Sequence, residues 1–207
     1  MPTIEQARTW YPDDPVHGFD HVLRVYRMAE RLATKEGANL EIVRAAALLH
    51  DAQTSDSERQ EHHQASASLA RRILSEEHWE EAMITAVEHC IRAHRYRDQS
   101  ESPITLEAKI LFDADKLDAI GAIGVARAIA YAALDHNPAY APPSQQFLRT
   151  GEVESGERYS AYHEYLYKLS KLKGRLYTPS AKALAEQRHL YLAEFFAQLV
   201  AEIEAER

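Results

Sequence analysis

Ala45-Ala46-Ala47-Leu48-Leu49-His50-Asp51 is a run of five apolar residues that ends on an imidazole and a carboxylate. The run closes a helix expected over about 40–51, in which Ile42, Val43, Ala46, Ala47 and Leu49 supply the apolar positions. A helix that is apolar nearly all round belongs in the middle of a bundle rather than on its surface. Polar groups at the end of such a run need partners if they are buried, because an unpaired buried charge is costly. A divalent cation would be one such partner.

Working outward, Val22, Val25, Tyr26, Ala29, Leu32 and Ala33 recur at helical spacing and predict a helix over 19–36, closed by Gly37. Residues 52–60 are polar and read as a loop. Helices are expected over 61–76 and 79–95, then a polar link over 98–103 and a helix over 105–115. The next helix, 116–133, carries Leu117, Ile120, Ile123, Val125, Ile129 and Ala130. Pro138, Pro142, Pro143, Gly151 and Gly156 make 135–157 a long loop, a feature that is usually functional or disordered in a compact domain. A helix near 158–172 follows. Thr178-Pro179 then opens a strong closing helix to about 205, with a stripe of Leu184, Tyr191, Leu192, Phe195, Leu199 and Ile203. No segment alternates as a strand would. The expectation is an all-α helical bundle in a single domain over 1–207.

Composition agrees. The chain has 207 residues, long enough to bury a core without staples, and its 7 glycines and 8 prolines are few. The net charge of −8 argues against nucleic acid as a partner, since such binding runs on phosphate neutralisation. A local basic groove at Arg92, Arg95 and Arg97 remains compatible with that total. The single cysteine, Cys90, forms no intrachain disulfide and suits a reducing compartment. The Met1–Trp10 start lacks a basic region followed by an apolar one, and the apolar stretch around 117–134 falls short of a bilayer span. A cytoplasmic protein with no membrane partner is expected. Its apolar closing helix would serve a homodimer as well as a core.

Histidine is over-represented early, with eight of the 11 in the first 94 residues. His21 lies at the start of the first long helix, and Asp115 lies in Ile110-Leu-Phe-Asp-Ala-Asp-Lys-Leu-Asp-Ala-Ile-Gly121. A His-Asp dipeptide is common by itself, and Asp113, Asp115 and Asp118 can equally be caps or surface charges. Imidazole with carboxylate suits first-row metals better than calcium, which prefers all-oxygen sites.

The ordered set His21, His50-Asp51 and Asp115 resembles the signature of the HD-domain superfamily of metal-dependent phosphohydrolases. His17-Gly-Phe-Asp-His-Val-Leu-Arg-Val25 resembles its first-helix motif and Ala45–Asp51 its central one. Asp113 through Arg127, Tyr165-Leu-Tyr-Lys-Leu169 and the stretch to Arg188-His189 are similar to a subgroup of small bacterial and archaeal members. The resemblance covers nearly the whole chain. It implies an HD-type helical domain with its metal-binding core over about 17–134, the loop over 135–157 and C-terminal helices over about 158–205. It also implies that His21, His50, Asp51 and Asp115 ligate a divalent metal from among Mn, Fe, Co, Ni, Mg and Zn. The implied reaction is cleavage of a phosphoester in a small metabolite or nucleotide by a metal-activated water.

Around that set, Asp51 is a candidate to orient or deprotonate the water. Lys116 and Arg24 are candidates to neutralise phosphate charge, or else ion-pair partners of nearby carboxylates. Asp118 is a candidate to hydrogen-bond a ligand. His62 and His94 fall where some HD proteins place extra histidines; a second metal, substrate contact and an ordinary surface role stay open for both. The sequence departs from some nucleotide hydrolases of the superfamily in one respect. Ala52, Gln53, Thr54 and Ser55 follow the His-Asp pair where those enzymes carry acidic residues, so only Asp56 or Glu58 would be available as a nearby carboxylate. Two other readings compete: a di-iron oxygenase of the same superfamily, with His62 and His94 completing six ligands, and a non-catalytic metal- or nucleotide-binding module.

Overall fold

The structure is a computed structural model that describes residues 1–12, 18–52, 62–95 and 101–206, the side chain of His62 excepted. Among these residues it is all-α. The helices are α1 (Ile4–Arg8), α2 (Phe19–Glu36), α3 (Leu40–Leu49), α4 (His62–Glu76), α5 (Glu81–Arg92), α6 (Leu106–Asp118), α7 (Gly121–Leu134), α8 (Gln145–Thr150), α9 (Ala161–Tyr167) and α10 (Pro179–Ile203). A 3-10 helix spans Leu169–Arg175. No single described helix is long and apolar enough to cross a membrane.

The residues group into two compact units. The first comprises Met1–Asp115 with Leu176–Ala181. Its centre is α3, whose Ile42, Val43 and Ala45–Leu49 are all buried and which packs against α2, α4 and α5. The all-round apolar pattern of that helix therefore has its expected meaning. Asn39 caps α3, its side-chain oxygen accepting from the Glu41 and Ile42 amides, while its own N–H donates to Glu107 Oε1 at 3.0 Å. Gly37, at φ 77°, closes α2 with its N–H on Ala33 O and turns the chain tightly into that cap. The helix α1 was not expected. A capping box between Thr3 and Gln6 starts it, and it lays Ala7 against Phe19, Val22 and Leu48.

The second unit comprises Lys116–Arg175 with Lys182–Arg207. Phe196 is fully buried there and stacks on Tyr165 at 4.5 Å between centroids. Three expected boundaries need correction. The break placed at 115–116 lies instead after Asp118, because nothing in Asp113–Asp118 stops a helix, whereas Gly121 adopts φ 76°. The expected loop 135–157 contains α8, a helix too short to show periodicity; Ser144 caps it and Gly151 ends it at φ 78°. The helix expected over 158–172 is α9 followed by the 3-10 helix, since Lys168 at φ −124° interrupts the α geometry. The loop expected over 52–60 lies almost wholly outside the described residues.

Candidate metal centre

Four polypeptide segments of the first unit bring their polar side chains to one place. His21 stands in the first turn of α2, His50 is the C-cap of α3 with Asp51 next to it, His94 follows the end of α5, and Asp115 lies in the last turn of α6. His21 Nε2 is 3.4 Å from Asp115 Oδ1. The His21 and His50 rings are 5.5 Å apart between centroids, and His50 Nε2 is 3.6 Å from Asp51 Oδ2. His21, His50 and Asp51 offer ligand atoms that all lie within 4.8 Å of one another. His94 joins them, its Nε2 3.4 Å from Asp51 Oδ1 and its ring 5.3 Å from that of His50.

Two of the imidazoles, those of His50 and His94, are set in one tautomer by the backbone. His50 Nδ1 lies 2.8 Å from Ala47 O, so it carries the proton and donates. Nε2 is then left with its lone pair pointing into the cluster. His94 repeats the arrangement with Nδ1 donating to Ile91 O at 2.5 Å. This is the arrangement that orients a metal-ligating imidazole. His50 Nε2 is buried and makes no hydrogen bond among the described residues. Burial holds His50 down to a pKa of about 4; the Asp51 and Asp115 charges push it up, against the neighbouring imidazoles His94 and His21. His50 is therefore neutral at neutral pH.

That shift has a consequence for the metal-free protein. An unfolded His50 titrates near its ordinary 6.5, but the folded one waits until about 4. Between these values the unfolded chain binds a proton that the folded chain does not, so stability falls as pH drops from 6.5 to 4 and is indifferent to this group above 6.5. Urea midpoints measured in chelator across this window should decline. His50→Ala should flatten its own share of that decline.

The Asp51 and Asp115 carboxylates lie near His50, which is neutral, and the buried Nε2 of that imidazole lacks a donor among the described residues. A first-row divalent cation suits these carboxylates and this nitrogen, so the residues fit the group. The remaining sequence candidates are placed as follows. Arg24 is half-buried one turn along α2 from His21. Lys116 is buried beside Asp115 in the chain, and Asp118 accepts from Arg127 Nη1 at 2.8 Å. The His62 side chain, the Gln53–Ser55 stretch, Asp56, Glu58 and Arg97 lie outside the described residues.

Sequence reasoning left Asp113 open between a cap and a surface charge, and it missed Tyr11. Asp113 is fully buried and accepts from the Tyr177 amide at 2.8 Å and from the Thr178 amide and hydroxyl at 2.7 Å each, fixing the start of α10. Tyr11 donates its hydroxyl to Leu48 O at 2.8 Å, beneath the His50-Asp51 pair. Neither contact leaves a local signal, because the partners are 64 and 37 positions away.

A family description for the HD domain matches residues 18–120. The chain is 32% identical to the YpgQ protein of Bacillus subtilis over 210 residues, covering 96% of this chain and 93% of that one. A crystal structure of B. subtilis YpgQ in complex with ADP superposes with a TM-score of 0.74 at 30% identity, over 97% of this chain and 98% of that one. A Lactobacillus plantarum protein gives 0.77 at 32% identity over 99% and 100% of the two chains. An HD-superfamily hydrolase from Bacillus thuringiensis gives 0.73 at 32% over 98% and 95%.

Proposed function

The chain belongs to the HD-domain superfamily, and we propose that within it the protein is a metal-dependent phosphohydrolase acting on a nucleotide or another small phosphorylated metabolite. The observation that carries this reading is the convergence of His21, His50, His94, Asp51 and Asp115, with His50 Nε2 buried and without a hydrogen bond. His21, His50, Asp51 and Asp115 would hold a divalent cation. Such a cation, when bound, lowers the pKa of a coordinated water and polarises a phosphoryl oxygen. The chain's own part is positional and protonic. The His50 and His94 tautomers hold lone pairs toward the centre, and the Asp51 carboxylate, whose oxygens lie near His50 and His94, is assigned to orient a water and accept its proton. Arg24 and Lys116 are the cations closest in sequence to these residues and are the candidates either for phosphate charge or for ion pairs with nearby carboxylates. The ADP complex of YpgQ supports a nucleotide over other phosphoesters.

A second reading, a two-metal centre of the di-iron oxygenase kind, is favoured by the position of His94 against Asp51. The experiment that separates the readings is a panel of nucleotides, cyclic nucleotides and phosphomonoesters incubated with the protein and Mn, Co, Ni, Mg or Fe. Metal-dependent release of phosphate or pyrophosphate is the expected outcome. Oxygen consumption with two irons per chain would establish the oxygenase instead. Tight nucleotide binding without turnover would establish a binding module.

A further inference from the structure

The last carbonyls of a helix have no partner within it and must find one elsewhere. At the end of α3 three successive carbonyls do so in three ways. Ala47 O accepts from His50 Nδ1 at 2.8 Å, Leu48 O accepts from the Tyr11 hydroxyl at 2.8 Å, and Leu49 O accepts from the Ala52 amide at 3.3 Å. The turn that carries His50 and Asp51 is thus held from below by a side chain from the N-terminal arm. That arm is itself fixed: Thr3 caps α1, Ala7 is buried, and the Tyr11 ring packs on Phe19 at 5.7 Å between centroids, with Arg8 over the other ring's centroid at 4.8 Å. Tyr11, Trp10, Leu23 and Tyr26 pack on the cluster of Ala7, Phe19, Val22 and Leu48. Two of these elements matter for the site, because Phe19 lies two residues before His21 and Leu48 two before His50.

We propose that Tyr11 is a positioning residue for the metal centre, its hydroxyl clamping the Leu48 carbonyl so that the His50-Asp51 turn presents its ligand atoms in register with His21. The inference rests on the metal-centre reading above. Burial, then the Asp51 charge, raises the Tyr11 pKa well above its ordinary value, so the hydroxyl keeps the proton it donates at neutral pH. Leu48 is almost wholly buried, so water does not readily replace the lost donor.

Tyr11→Phe removes the hydroxyl and keeps the ring. The probes are Mn²⁺, whose dissociation constant is read by chelator competition, and Co²⁺, whose visible absorption bands report ligand geometry. The expected result is a roughly 10-fold weaker Mn²⁺ affinity, the lower end of what outer partners of metal ligands supply, together with shifted Co²⁺ bands. Tyr26→Phe removes a hydroxyl from the same cluster, but one set beside Glu30 and Arg44, and should leave both readouts at wild type. A merely structural Tyr11 would lower the urea midpoint of the metal-free variant and leave affinity and bands unchanged, which overturns the inference while the centre stands. A wild-type chain without affinity for Mn²⁺ or Co²⁺ overturns the centre and the inference together.

Discussion

His50→Ala and Asp51→Ala should each lose bound metal and metal-dependent turnover while keeping a helical far-ultraviolet spectrum. His50 is fully buried, and its Nε2 makes no hydrogen bond among the described residues. Removing the imidazole takes a donor from the cation itself, so the loss of affinity should exceed the roughly 10–100-fold that outer partners command. The helix survives for a separate reason. α3 is held by Ile42, Val43 and Ala45–Leu49 within the core and by the Asn39 cap, none of which depends on His50. Alanine is also the best helix former. Asp51→Asn is the finer probe, since it keeps the shape and removes the charge and proton-accepting capacity assigned to that oxygen pair. Turnover should fall further than metal content in Asp51→Asn if the carboxylate also accepts the proton of the attacking water.

The second large effect separates two aspartates that stand two residues apart. Asp113→Asn should destabilise the fold by about 2–4 kcal/mol, because one buried carboxylate accepts three hydrogen bonds and an amide presents N–H to a backbone N–H on one side. Asp115→Asn should do little to stability and should abolish or strongly weaken metal binding, its Oδ1 facing His21 Nε2 at 3.4 Å in a partly exposed position. Chemical denaturation of the chelated proteins gives the first result and metal titration of the folded variants the second. The opposite pattern, metal lost in Asp113→Asn and stability lost in Asp115→Asn, would exchange the two assignments.

These two residues also mark how far the sequence could be read. The helices were legible wherever a face repeats: α2, α3 and α10 stand where periodicity, Gly37 and Thr178-Pro179 place them. The all-apolar run of α3 announced its burial, and the polar pair at its end lies in the candidate centre. Which of Asp113, Asp115 and Asp118 belonged to that centre was not legible from residue types. All three lie on one helix, and their fates are set by what faces them: Thr178 for Asp113, His21 for Asp115 and Arg127 for Asp118. Short elements escaped for a different reason. Six residues of α8 or five of α1 complete fewer than two turns, so caps rather than periodicity start and stop them. The same limit hid Tyr11, whose work is done on a carbonyl, a group every residue carries.

The most direct test of the centre is a metal count on protein purified without chelator, beside His50→Ala and Asp51→Ala prepared in the same way. The wild-type chain should carry at least one first-row divalent metal, and the two variants should carry none. A metal-free wild type that also takes up no added Mn²⁺ or Co²⁺, or equal metal in all three proteins, would contradict the assignment of His21, His50, Asp51 and Asp115.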